Sequence, residues 1–225
     1  MIRGNNLIIA ISGKMQRGKD TIGNYLIAKY KFKRIGFADK LKEVCMNYDN
    51  SMPGLRSFWN KKVAREVLGN EKCAGEVDIL AQRVCPGIWR KLTHEECFGV
   101  KTDYARLTLQ EFAQGMRQLK ADCWVECVIR KCREEGGRWV ITDVRYLNEA
   151  FAIEVSEDAQ IWRVTRPIED KVGSQHISEC NLDNYPFEVN INNDSTIEML
   201  QRRVDKVIKP LLRGTRPFAN GEEVY

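Results

Sequence analysis

The fold class that this 225-residue chain predicts is α/β, with a five-stranded parallel sheet covered by helices on both faces. Three observations point there. Short apolar runs alternate with amphipathic helical stretches, the pattern of strands joined by helical crossovers. The first run, residues 6–11 (NLIIAI), is apolar without alternation from Leu7 onward, as a strand buried on both faces must be. That run ends in Ser12-Gly13, and a glycine-bearing turn leads straight into a helix.

The elements follow in order. Residues 19–31 form a helix, with Ile22, Tyr25, Leu26 and Tyr30 near helical spacing. Residues 33–37 (KRIGF) make a second strand, and residues 39–48 a helix with Leu41, Val44 and Cys45 on one face. The stretch 49–103 holds Pro53-Gly54 and Cys85-Pro86-Gly87 around a helical segment at 60–68, and it is expected to be an inserted subdomain. Helices at 108–118 and 121–135 follow, broken around Lys120. Gly136-Gly137 stops the second of them before the strand 138–142 (RWVIT). Residues 147–155 make a short helix, 160–165 (QIWRVT) a strand, 166–186 a long polar loop and 187–191 (FEVNI) the last strand. A final helix starts at Ser195, and 214–225 reads as a polar tail. The whole is expected to be one domain, 1–225, carrying the insertion 49–103 and a lid at 166–186.

The bulk numbers narrow the class of function. Hydrophobic residues make up 43% and charged residues 30%, the composition of an ordinary globule. No apolar run approaches the roughly 20 residues that span a bilayer, and the polar start of the chain lacks a secretory signal. A cytoplasmic protein without membrane partners is therefore expected. The net charge of +5, from 36 basic and 31 acidic residues, is too small to argue for a nucleic-acid partner. Eight cysteines in such a protein are expected to be reduced thiols. Cys73, Cys85, His94 and Cys97 fall in one stretch, but no Cys-x-x-Cys pair accompanies them, so zinc is not expected. A homodimer is left open.

Chemistry enters at Gly13-Lys-Met15-Gln16-Arg17-Gly18-Lys19-Asp20-Thr21, between the first strand and its helix. Glycines let backbone N–H groups approach phosphate oxygens closely, and the helix N-terminus adds positive potential. Lys19 is placed to reach the β- and γ-phosphates of ATP. Asp20 stands where a hydroxyl commonly ligates Mg²⁺, so either Asp20 or Thr21 is the loop's candidate metal ligand.

In open parallel sheets ligands bind beyond the carboxyl ends of the strands, which directs attention to four further clusters. Phe37-Ala-Asp39-Lys-Leu-Lys42 is either an ordinary helix start with Asp39 as cap or a ligand-binding turn. Asp143-Val-Arg145, with Asn148 and Glu149, follows the strand 138–142; Asp143 is a candidate for Mg²⁺ and Arg145 for a bidentate phosphate clamp. Arg106, Gln110, Arg117 and Trp124 lie in a helical region, where Trp124 either stacks on a base or fills the core. Arg166-Pro167 opens the polar loop that holds His176-Ile-Ser178-Glu179, the expected active-site lid.

Taken together these motifs resemble the phage-type deoxynucleoside monophosphate kinases. The matching elements are Ser12-Gly13 through Thr21, Phe37 to Lys42, Leu109-Gln110 through Gly115-Met-Arg117 with Asp122-Cys-Trp124, Thr142 to Arg145 with Asn148-Glu149-Ala150, Arg166-Pro167, and His176 to Glu179. They occur in the family's order and touch most of the chain except 49–103. The resemblance implies a P-loop kinase fold, with ATP and Mg²⁺ at Gly13 to Thr21. It implies a deoxynucleoside monophosphate near Asp39, Lys42, Gln110, Arg117, Trp124, Asp143, Arg145, Glu149, His176 and Glu179. Lys19, Arg145 and Arg166 are then expected to surround the transferring phosphoryl group. Two departures bear on the acceptor's base: Met116 follows Gly115 where the family often has Thr, and the interval from Gly115 to Trp124 is short. Phosphomevalonate kinase shares the Gly-Lys-Asp loop, the Asp-x-Arg strand end and a segment like Ser178-Glu-Cys-Asn-Leu-Asp183. A kinase of another phosphorylated metabolite, or a P-loop ATPase or nucleotide sensor, therefore stays as an alternative.

Overall fold

The computed structural model describes residues 6–156, 159–167, 181–215 and 222–224. Packing divides the chain into two units, one made of Met1–Gly36 with Ile129–Tyr225 and the other of Phe37–Val128.

The first unit is built on a parallel sheet of six strands in the order β2-β3-β1-β4-β5-β6. The strands are β1 (Leu7–Ser12), β2 (Lys33–Ile35), β3 (Arg138–Val144), β4 (Ala159–Thr165), β5 (Val189–Asn192) and β6 (Glu222–Val224). β1 lies at the centre, and all six of its residues are buried. Helix α1 (Lys19–Tyr30) and the last helix, α9 (Ile197–Leu212), flank the sheet. Ile22 and Leu26 of α1, with Leu200, Val204, Val207, Ile208 and Leu211 of α9, close over Ile9, Ile11, Val140, Trp162, Val164, Val189 and Ile191. Helix α8 (Leu147–Glu154) packs beside β4.

The sixth strand corrects the expected five. Val189 pairs with Glu222 and Ile191 with Val224, so part of the polar tail is a strand. A Glu-Glu-Val segment carries no apolar run to announce it, although Val224, 4% exposed, joins the core.

The second unit is helical. It holds α2 (Asp39–Asn47), α3 (Pro53–Val63), α4 (Ala74–Val84), α5 (His94–Phe98), α6 (Asp103–Leu119) and the start of α7 (Cys123–Glu135). It is wider than the expected insertion 49–103. Leu41, Val44 and Cys45 of α2 and Phe112 and Met116 of α6 share one core with Val63, Val77, Leu80 and Leu92, so the flanking helices belong to the same packed body. The helix expected at 60–68 starts at Pro53 instead and runs into a π-helical turn, Ala64–Leu68, before Gly69 turns left-handed and ends it. Thr102 caps α6 through the amide of Ala105, which sets its start at Asp103, earlier than the apolar spacing suggested. No helix among the described residues is long and apolar enough to cross a membrane.

Candidate active site

The carboxyl ends of β1, β3, β4 and β5 lie side by side, since Ser12 pairs with Val144 and Arg163, and Thr165 with Asn192. The glycine loop leaves β1 at this edge and enters α1 at Lys19. Two of its residues must be glycine. A Cβ on Gly13 would stand 2.6 Å from the carbonyl oxygen of Val164, and a Cβ on Gly18, whose φ is +106°, would stand 2.5 Å from the side-chain nitrogen of Asn193. Gly18, as the cap residue, offers no side-chain hydrogen bond to the amides of the first turn of α1. Such amides, at the positive end of the helix dipole, suit an anion. Lys19 is 9% exposed, and its Nζ donates to the carbonyl oxygens of Gly13 at 2.5 Å and Lys14 at 2.7 Å. The ammonium thus spans the opening of the loop.

The remaining loop residues divide. Met15 and Gln16 are exposed, and Gln16 takes a left-handed φ of 63°. Arg17 is buried, and its guanidinium donates to the carbonyl of Arg166. Its side chain ties the loop to the residue that follows β4. Asn193 donates from Nδ2 to the Arg17 carbonyl at 2.9 Å.

A cavity of about 360 Å³ opens beside the loop, lined by Gln16, Gly18, Lys19, Asp20, Thr21, Arg166, Asn193, Ser195, Ile197 and Leu200. Asp20 is exposed and Thr21 half-buried on its wall. Neither Asn193 nor Ser195 is singled out as a site residue by the sequence, where Ser195 reads only as a helix start. Their signal was the polar run Asn192 to Ser195 directly after a strand, at the sheet edge where ligands bind.

At the end of β3, Asp143 and Arg145 are both half-buried. Glu149, 6% exposed, accepts the backbone amides of Arg145 at 2.7 Å and Tyr146 at 3.0 Å through Oε2. It therefore shapes the turn that presents Arg145. Beside it lies a cation that sequence reading missed. Arg163 donates to Ser12 Oγ at 3.3 Å and to Asp183 at 2.7 Å, with its guanidinium over the Phe187 ring. Lys14 reaches the same Asp183 at 3.7 Å, and Asn181 accepts the amide of Leu147 at the start of α8. The far end of the expected lid is thus anchored beside the glycine loop. Residues 168–180, including His176 and Glu179, lie outside the described residues.

Asp39, Lys42, Gln110, Arg117 and Trp124 belong to the second unit. Asp39 opens α2 and pairs with Lys42 at 4.0 Å, while the Lys42 ammonium sits 4.3 Å from the Phe98 ring centre. Gln110 and Arg117 are exposed. Of the two readings of Trp124, the structure shows core packing: it is 3% exposed and donates its indole N–H to the Ala113 carbonyl. Cys97 is buried, and burial pushes its thiol up. The His94 ring lies 4.7 Å from that of Phe98. Among the described residues no group of three or more His, Cys, Asp or Glu is placed to hold a metal ion.

No family model matches this chain, and no curated protein sequence is significantly similar to it.

Proposed function

We propose that this chain is an ATP-dependent phosphotransferase whose acceptor is itself a phosphate monoester, a deoxynucleoside monophosphate. One observation carries the reading: α1 begins at the carboxyl edge of a parallel sheet behind a glycine that has no side chain, and Lys19 bridges the loop in front of it. Amides, helix dipole and ammonium together favour a polyphosphate.

The acceptor's own chemistry accounts for the residues nearby. A phosphate monoester is largely a dianion at neutral pH, its second pKa being about 6, so it needs no general base. One of its oxygens bonds to the γ-phosphorus as the bond to the β,γ-bridging oxygen breaks, leaving ADP. Catalysis then rests on in-line positioning and on cations around the transferring group. Lys19, Arg145 and Arg166 supply those cations. Asp143, with Asp20 or Thr21, offers the oxygen ligands for Mg²⁺, which typically takes one or two protein carboxylates and the rest from phosphate and water. Bound there, Mg²⁺ would neutralise charge on the β- and γ-phosphates. The order of motifs along the chain supports a nucleotide acceptor.

The test is ADP release measured with dGMP, dTMP, dCMP, dAMP and phosphomevalonate in turn. Release dependent on one or more of the deoxynucleotides is expected. Release with phosphomevalonate alone transfers the assignment to a metabolite kinase, and acceptor-independent turnover transfers it to an ATPase.

A further inference from the structure

The glycine loop is held from outside itself, and one of the contacts is made by a residue 176 positions away, Asn193, just beyond β5. Its backbone N–H bonds the Thr165 carbonyl at 2.7 Å, which fixes the residue to the end of β4. From there its side-chain amide, 8% exposed as a residue, donates to the Arg17 carbonyl at 2.9 Å. In a trans peptide the carbonyl and the following N–H point opposite ways. Drawing the Arg17 carbonyl toward Asn193 therefore turns the Gly18 N–H away from it. Gly18 has room for this only because it lacks a Cβ, which would stand 2.5 Å from Asn193 Nδ2. Arg17 is held a second time, through its guanidinium on the Arg166 carbonyl.

We propose that Asn193 is a positioning residue of the donor site, which locks the Arg17–Gly18 peptide so that the Gly18 N–H is offered to a polyphosphate oxygen. The proposal rests on the donor-site reading above and adds to it the residue that shapes the loop. Asn193 acts through that peptide, so its contribution belongs to the phosphates and not to the nucleoside.

Mg-ATP and Mg-tripolyphosphate, which has no nucleoside, separate the cases. Their dissociation constants are measured by calorimetry for the wild-type chain and for Asn193→Ala, with the ligand-free melting temperature of each. Losing one hydrogen bond of this kind corresponds to about a fivefold weakening. Asn193→Ala is expected to weaken both ligands by that same factor, to raise KM for ATP more than it lowers kcat, and to melt within about 4 °C of wild type. Unchanged affinity for tripolyphosphate, or a loss confined to ATP, overturns the proposal. Asn193→Ser, too short to reach the Arg17 carbonyl, carries the same expectation if the alanine form does not fold. A wild-type chain that binds neither ligand, or ATP without tripolyphosphate, overturns the donor-site reading itself.

Discussion

Replacing Lys19 tests the proposed chemistry most directly. Its Nζ is held by two carbonyl oxygens at 2.5 and 2.7 Å, and the residue is 9% exposed, so the charge is fixed in position before any ligand arrives. Removing one preorganised donor from a site of developing negative charge costs about 3–4 kcal/mol, or roughly 10²–10³ in rate. Lys19 also carries a full charge; at 4 Å and an effective dielectric of 20, a unit pair is worth about 4 kcal/mol. Part of that is spent in the ground state, so Lys19→Ala is expected to lower kcat/KM by at least about 10³-fold. Lys19→Arg should not rescue it. The guanidinium is a planar fork, whereas the two carbonyls are placed to hold a compact ammonium. The fold should survive, because the lost hydrogen bonds are each worth about 1 kcal/mol and water replaces them at the loop surface. The assay is acceptor-dependent ADP release, paired with a melting curve for each variant. An alanine form that keeps more than a tenth of wild-type activity, or an arginine form equal to wild type, would refute the placement of Lys19 at the transferring group.

Three other changes separate site from scaffold. Gly13→Ala would put a methyl carbon 2.6 Å from the Val164 carbonyl, a backbone atom that cannot swing aside, so ATP affinity should fall at least about tenfold; calorimetric binding equal to wild type would sink the close-approach argument. Trp124→Ala should cost about 3–5 kcal/mol in urea unfolding, as for any large core side chain; unaltered unfolding with a raised acceptor KM would instead make Trp124 a base platform. Asp205 of α9 accepts from the Tyr25 and Tyr30 hydroxyls and from Lys29, each at 2.7 Å, and pairs with Lys209 at 3.2 Å, tying α1 to α9. Burial alone would raise its carboxyl, yet these donors hold it well below the usual carboxylate range. A lowered folded-state pKa stabilises above the unfolded value of about 4 and is lost as pH falls through the folded one. Asp205→Asn should therefore cost about 2 kcal/mol, or roughly 4–8 °C in melting, at pH 7. The difference from wild type should shrink below about pH 4, and an equal difference at pH 7 and pH 3 would contradict the network.

What the sequence disclosed and what it hid follow from the range of the forces involved. β1, the glycine loop and α1 were legible because a buried parallel strand, a tight turn and a helix start each leave a local signature. β3 was legible for the same reason, although the strand runs on to Val144 and takes Asp143 into the ladder. The extent of the second unit was not legible. Leu41 and Val44 on α2, like Phe112 and Met116 on α6, show only that a helix has an apolar face, and nothing local names the partner that covers it. Trp124 was undecidable from sequence, because an indole suits a core and a ligand equally well until its burial is known. Arg163 did leave a trace, a lone cation inside the apolar run QIWRVT, and such a residue needs a partner of the kind Asp183 provides.

The loop itself shows why motif reading stops short of mechanism. Its spacing of glycine and lysine states that phosphate binding is affordable for the backbone, but the shape that would do it is imposed by residues elsewhere. Val164 sets how close Gly13 must come, Asn193 and the Arg166 carbonyl fix Arg17 from two sides, and Asp183 holds Lys14. Each of these lies on or beyond β4 or β5. A loop restrained at four points by neighbouring strands loses little conformational freedom when a ligand arrives, which leaves more of the contact energy for affinity. The same restraint means that changes in β4 or after β5 should alter phosphate affinity without touching the motif. The glycines fit those neighbours: Gly18 is required by its φ of +106°, its missing Cβ lets Asn193 come close, and the pair forms one unit of the site.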